Sequence, residues 1–229
     1  MTRTTCVVAT LLALPLATLL IADAEPGAPA KVVFEDPFKE RLAGDWTWVR
    51  EDKTGWRVAD GTLQVRLAPG NLWEKENDAR NLLLREAADD ATPFAAEVGV
   101  SHAPTTFGEQ AGLLWYRDDD NYIKLVKEFY DGNTWAVFAV ERGGKADYRE
   151  ADCRAQWVTF RLTVAGDKVS AAFRAVGGTE WKSMGDFDFP ARDDKSAAAP
   201  ARIGLTAHHG PADPERWAHF RDFRISRAE

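Results

Sequence analysis

Cysteine is nearly missing: the 229 residues hold two, Cys6 and Cys153. Cys6 lies ahead of an N-terminal apolar run, so a mature chain keeps one thiol and no intramolecular disulfide can brace it. Cys153 sits between Asp152 and Arg154, without the base and electropositive setting of a reactive thiol, and reads as a small packed residue. Blocks of basic residues are also missing. The 29 Lys and Arg are interspersed with 36 Asp and Glu for a net charge of −7, which argues against a nucleic-acid partner. There is no N-x-[ST] triplet, internal repeat or low-complexity tract. No Ser-His-Asp set, zinc-type histidine cluster or phosphate-cradling glycine loop is evident. His208 and His209, adjacent on a strand, would point to opposite faces and cannot hold one metal together. Helical periodicity is scarce as well.

What is present begins with a leader. Arg3 supplies a positive start, residues 7–21 are apolar apart from Pro15 and small residues, and Ala22-Asp23-Ala24 fits a signal-peptidase site. The run is short for a membrane span and lacks a basic flank after it. The expectation is a signal peptide over residues 1–24, a flexible lead-in over 25–30 and one domain over 31–229. The protein would be exported to the periplasm or beyond, with no membrane contact after cleavage. Hydrophobic residues make up 45%, enough for a core, and the length suits a single all-β sandwich. Short strands alternate with turn signals such as Asp60-Gly61, Asp131-Gly132-Asn133 and Ala165-Gly166-Asp167. Residues 80–88 contain Leu82-Leu83-Leu84, ambiguous between helix and strand, and their length favours a strand. Roughly a dozen evenly spaced strands point to a sandwich or barrel.

The order of landmarks is more specific. Phe34-Glu35-Asp36-Pro37-Phe38, Trp46-Thr47-Trp48, Gly55-Trp56 and Asp60-Gly61-Thr62-Leu63 come first. A central EQAGLLWYRDDDNYIKLVKE follows, and ARIGLTAHHG and AHFRDFRI close the chain. This resembles the concanavalin-A-like lectin/glucanase group, in particular small bacterial domains of unassigned function and the C-terminal domain of bacterial β-xylosidases. The resemblance implies two curved antiparallel sheets in a jelly roll, one with a concave face that in this group commonly receives a glycan. It implies no reaction.

Strand alternation splits the central hairpin. Ala111, Leu113, Trp115, Ile123 and Leu125 are assigned to the core between sheets. Gln110, Tyr122, Lys124 and Glu128 project from the other face, joined by Glu97 from the preceding strand and His208 near the end. With the resemblance, this set becomes the floor of a sugar site, walled by Trp73 in a polar loop and by Trp48 at the groove edge. The competing reading is an ordinary solvated face. A glycoside hydrolase would need two carboxylates, for which Glu97 and Glu128 are the weak candidates, yet the E-x-D-x-E pattern of the group's glucanases is absent. The leading expectation is therefore a non-catalytic carbohydrate-binding protein, the alternatives being that hydrolase or a structural domain. No cofactor is required. Glu35 or Asp36 with Asp222 is a candidate seat for a structural calcium ion, since hard oxygen ligands suit it, with the Asp118-Asp119-Asp120 run as a second place.

Overall fold

The computed structural model describes residues 31–87, 92–189 and 201–227. The leader and lead-in lie outside the described residues. Every regular element described is a strand: β1 (Lys31–Asp36), β2 (Thr47–Val49), β3 (Trp56–Ala59), β4 (Thr62–Arg66), β5 (Leu72–Trp73) and β6 (Glu76–Asn77) open the chain. Then come β7 (Leu82–Glu86), β8 (Phe94–Ser101), β9 (Gln110–Asp118), β10 (Asn121–Tyr130), β11 (Asn133–Arg142) and β12 (Ala146–Asp152). The last are β13 (Trp157–Ala165), β14 (Lys168–Ala175), β15 (Lys182–Asp188), β16 (Arg202–His208) and β17 (Trp217–Arg227). The ambiguous leucine run is a strand, β7. Tight turns fall where the sequence signals them. Asp60-Gly61 (φ 53° and 68°) and Asp131-Gly132 (φ 51° and 72°) place two residues in the left-handed region, matching the twist of the hairpins β3–β4 and β10–β11.

Two large antiparallel sheets result. The back sheet runs β15-β14-β13-β8-β17-β4-β3, with β1 also on β17, and the front sheet runs β12-β11-β10-β9-β16-β7-β2. Strand β17 serves two neighbours on one side: its first half pairs with β4 and its second half with β1. The switch falls at a bulge around Asp222, where φ is 52° and the register with β8 shifts between Arg221 and Arg224.

The core lies where the sheets face each other. Ala111, Leu113, Trp115, Ile123, Leu125 and Phe138 of the front sheet meet Val98, Val100, Phe160, Leu162 and Phe220 of the back sheet, all buried. The odd–even split of the central hairpin is therefore as expected. Each buried side chain of this size stabilises by roughly 1.5–3 kcal/mol, and with no disulfide among the described residues this burial carries the fold. Cys153 is buried too, and burial pushes its thiol pKa up to about 11, which leaves it protonated and unreactive.

Two assignments are corrected by the topology. Glu97 does not share a face with Gln110 and Glu128. The connection after β8 crosses to the other sheet, so β8 lies between β13 and β17, and Glu97 pairs on the outer side of the back sheet with Arg161 (2.6 Å) and Arg224. Trp48 does not edge a groove. It lies opposite Leu83 of β7, faces inward, and stacks on Trp56 of the other sheet with ring centroids 4.9 Å apart. The two rings close one open side of the sandwich.

Candidate functional site

Part of the outer face of the front sheet is covered by the chain's own hairpin, β5–β6. Residues around β5 and β6 fold back over the strands rather than standing off as a polar loop. Leu72 is fully buried there against Leu82, Leu84, Leu114, Tyr116 and Tyr122. Polar side chains rising from the sheet fix this flap. The Leu72 carbonyl accepts hydrogen bonds from the Tyr122 hydroxyl (2.6 Å) and the Lys124 ammonium (3.0 Å). Glu141 Oε2 lies 2.7 Å from the same hydroxyl, whose single hydrogen is shared between the two acceptors, and accepts from the Glu74 amide (2.8 Å). At the flap's base, Arg50 Nε donates to the Ala79 carbonyl (2.6 Å) while its guanidinium grips Asp119 with two hydrogen bonds.

Tyr122 and Lys124 therefore project from the expected face, but as anchors of the flap rather than as an exposed floor. Lys124 is fully buried, and that burial lowers its pKa to about 8 against the opposing pull of Glu128 and Glu141. Its ammonium also lies 4.7 Å from the centroid of the Trp73 ring. Glu141 was not singled out from sequence, although its register opposite Tyr122 places it on this face. Replacing Glu141 with Gln should lower stability by about 1–2 kcal/mol in urea unfolding, since charge-assisted acceptance is lost while the shape is kept. An unchanged midpoint would show that the flap does not depend on this carboxylate.

Beside the flap the face stays open, as a cavity of about 300 Å³ lined by Trp73, Phe107, Gln110, Glu128, Tyr130, Tyr148 and His209 among others. Its floor follows the strand order: Gln110 on β9, Glu128 on β10, Val137 on β11 and Tyr148 on β12. Aromatic rings make the walls. Trp73 meets Tyr148 edge-on at 6.2 Å, and Tyr130 stacks on Trp135 at 5.9 Å. Phe107 and Tyr148 are 70% and 51% exposed, unusual for rings of this size without a ligand to cover them. Gln110 donates to the Gly108 carbonyl (3.0 Å), and its buried Oε1 has no protein partner among the described residues. Burial raises the pKa of Glu128, with the Lys124 ammonium opposing. His209, at φ 64°, packs its ring where a Cβ on Gly108 would lie 2.6 Å from Nδ1, so residue 108 must be glycine to leave this wall in place.

The structure thus brings Trp73, Gln110 and Glu128 together around one cavity, with Lys124 and Tyr122 behind its flap wall. His208 is buried on the same face, opposite Gln110, and does not line the cavity; burial holds its pKa well below the usual histidine value. Phe107, Tyr130, Tyr148 and His209 were not read from sequence. Tyr148 and Tyr130 do lie at outward positions of their strands, which alternation could have shown.

The calcium candidates sit among donors and cations of the protein itself. The carboxylate of Asp36 already accepts N–H bonds from Phe38 (2.9 Å), Ala43 (2.7 Å) and the Trp46 indole (2.8 Å), donors that would repel a cation. Asp222 sits on the β17 bulge beside Arg221 (3.8 Å), and Glu35 is opposite Arg224. In the second place, Asp119 is held by Arg50 and Tyr116, while Asp118 accepts from the Asp120 amide and Asn121. No group of three metal-ligating side chains occurs among the described residues.

This fold and face define a concanavalin-A-like sandwich. The β-xylosidase C-terminal concanavalin A-like domain family matches residues 35–226, and the chain belongs to that family. Among solved structures, the chain is similar to the GH43 protein BlXynB of Bacillus licheniformis, with a TM-score of 0.74 at 23% identity over 84% of this chain. The xylan β-1,4-xylosidase of Bacillus halodurans C-125 gives 0.73 at 19% identity over 84%. The chain spans 39% and 38% of the length of those two enzymes. A functionally unknown protein from Saccharomyces cerevisiae gives 0.63 at 18% identity, with 81% of this chain and 97% of that one covered. These likenesses establish the fold. No curated protein matches the chain.

Proposed function

We propose that this is an exported, non-catalytic carbohydrate-binding domain whose ligand occupies the cavity beside the flap. The observation that carries this reading is the convergence of aromatic rings with the hydrogen-bonding groups of Gln110 and Glu128. Apolar sugar faces stack on rings, and carboxylates and amides bond hydroxyl groups in plane. Membership of a β-xylosidase-associated family supports a plant-type polysaccharide as the source. A non-catalytic role is supported by the position of Glu97: the pair it was to form with Glu128 is split between opposite outer faces.

Calorimetric titration with xylo-, arabino- and cello-oligosaccharides tests the site. Trp73→Ala and Glu128→Gln should each weaken binding by about tenfold or more, equivalent to about 1.4 kcal/mol. Arg174→Ala, on the back sheet, should leave it unchanged. Equal affinity in all three variants would remove the cavity from consideration. Sugar release that disappears in Glu128→Gln would overturn the non-catalytic part alone.

The plugged part of the face favours a second reading, a purely structural domain, because Leu72 and its neighbours fill space that a longer glycan would need. That reading predicts no binding of any sugar by the folded protein.

A further inference from the structure

Resting on the carbohydrate reading, though not on the source of the polysaccharide, we propose that the cavity takes an amine-bearing sugar whose ammonium meets Gln110, Glu128 and the aromatic rings. The polar groups left open there are acceptors. Gln110 is 2% exposed, and its amide donates to the Gly108 carbonyl (3.0 Å). That bond fixes which way the amide points and leaves Oε1 as the buried, unpartnered end. Glu128 lines the cavity with no hydrogen bond or ion pair to any described residue. Lys124 directs its ammonium to the Leu72 carbonyl (3.0 Å) and the Trp73 ring instead. Burial outweighs the pull of Lys124 and raises the Glu128 pKa, so this carboxylate is short of positive charge.

Other charges nearby have the same sign. Asp131 lines the cavity, and Glu150 accepts from the hydroxyl of Tyr130, another lining residue. Neither Lys nor Arg is among the described residues that line it. His209 is, but burial lowers its pKa and keeps the imidazole neutral near pH 7. The rings also lack cations. On the back sheet an Arg lies over each of Trp157, Trp181 and Trp217, at 4.2, 3.7 and 4.3 Å. In the cavity Trp73 has Lys124 at 4.7 Å, whereas Phe107, Tyr130 and Tyr148 have no such partner among the described residues. A ring face attracts an ammonium through its quadrupole. An acidic sugar would meet repulsion here, and a neutral one adds nothing to offset Glu128. An ammonium brings three hydrogens for these acceptors together with the missing charge.

The test is calorimetric titration with β-1,4-linked oligomers of glucose, N-acetylglucosamine, glucosamine and glucuronate, at one ionic strength and below the pKa of the glucosamine amine. The glucosamine series should bind at least tenfold tighter than the glucose series, with no such gain for the N-acetyl series and the weakest binding for glucuronate. Glu128→Gln should weaken the glucosamine series at least tenfold more than the glucose series, and Tyr148→Leu should narrow the gap between them. Glucose oligomers that bind as tightly as glucosamine oligomers would overturn the amine and leave the carbohydrate reading standing. A glucosamine preference undiminished in Glu128→Gln would trace it to the net charge of −7 rather than the cavity, and would overturn the proposal too. Failure of every series, and of xylo- and arabino-oligosaccharides, to bind would remove both.

Discussion

Acidification from pH 6.5 toward pH 3 is expected to destabilise the fold by about 4–5 kcal/mol through His102 alone. This residue follows β8 at one end of the sandwich and is buried, with its carbonyl accepting from Lys127 Nζ (3.0 Å). Burial, reinforced by the Lys127 ammonium, lowers its pKa from 6.5 to about 3. The folded state therefore binds the proton more weakly than the unfolded chain. The contribution is whole above pH 6.5 and drains away as pH falls through 6.5 toward the folded value. Total stabilities of roughly 5–15 kcal/mol make such a loss large enough to unfold many domains. His208 acts with the same sign. Urea unfolding at successive pH values should show the decline, and His102→Phe should flatten it. A variant with the wild-type slope would remove His102 as the cause.

Lys124→Met should relieve a desolvation penalty of up to about 3 kcal/mol at pH 7, but it also leaves the buried carboxylates of Glu128 and Glu141 without their cation and the flap without a hydrogen bond, so the net gain should be smaller than that. The ammonium is held in a fully buried site, and its pKa falls from 10.5 to about 8. The desolvation penalty is complete below pH 8, shrinks as pH rises, and vanishes above 10.5 where the lysine is neutral in both states. The gap between wild type and variant should close across that window. The Leu72 carbonyl keeps its bond from Tyr122, so the flap retains an anchor. A variant less stable than wild type at pH 7 would mean that the lysine holds the flap more strongly than its burial penalises the fold.

The sandwich was legible because alternation and turn chemistry are local. Ala111, Leu113 and Trp115 face the core as their spacing demands, and glycine turns fall between paired strands. The covering of the outer face was harder to read, though one signal was present. Leu82-Leu83-Leu84 cannot all face one side, so a strand bearing three leucines is covered on both. Leu114 and Tyr116, alternating with the core residues of β9, say the same. Glu97 was misplaced because neighbours in sequence were taken as neighbours in a sheet, whereas the chain changes sheets after β8. Trp73 was recognised by its unusual polar setting. Phe107 and Tyr148 were not, since their meeting depends on strand order and loop path rather than on any spacing in the chain.

The pairing of β1 with the second half of β17 puts Lys31 directly opposite Arg227. Entry and exit of the sandwich therefore share one corner, on the sheet away from the cavity. A neighbour in a longer polypeptide could be joined at either point, or the whole unit inserted into a surface loop, and the mouth of the groove would still face free solvent. Geometry of this kind would let the sandwich be moved among architectures without redesign of its cavity face.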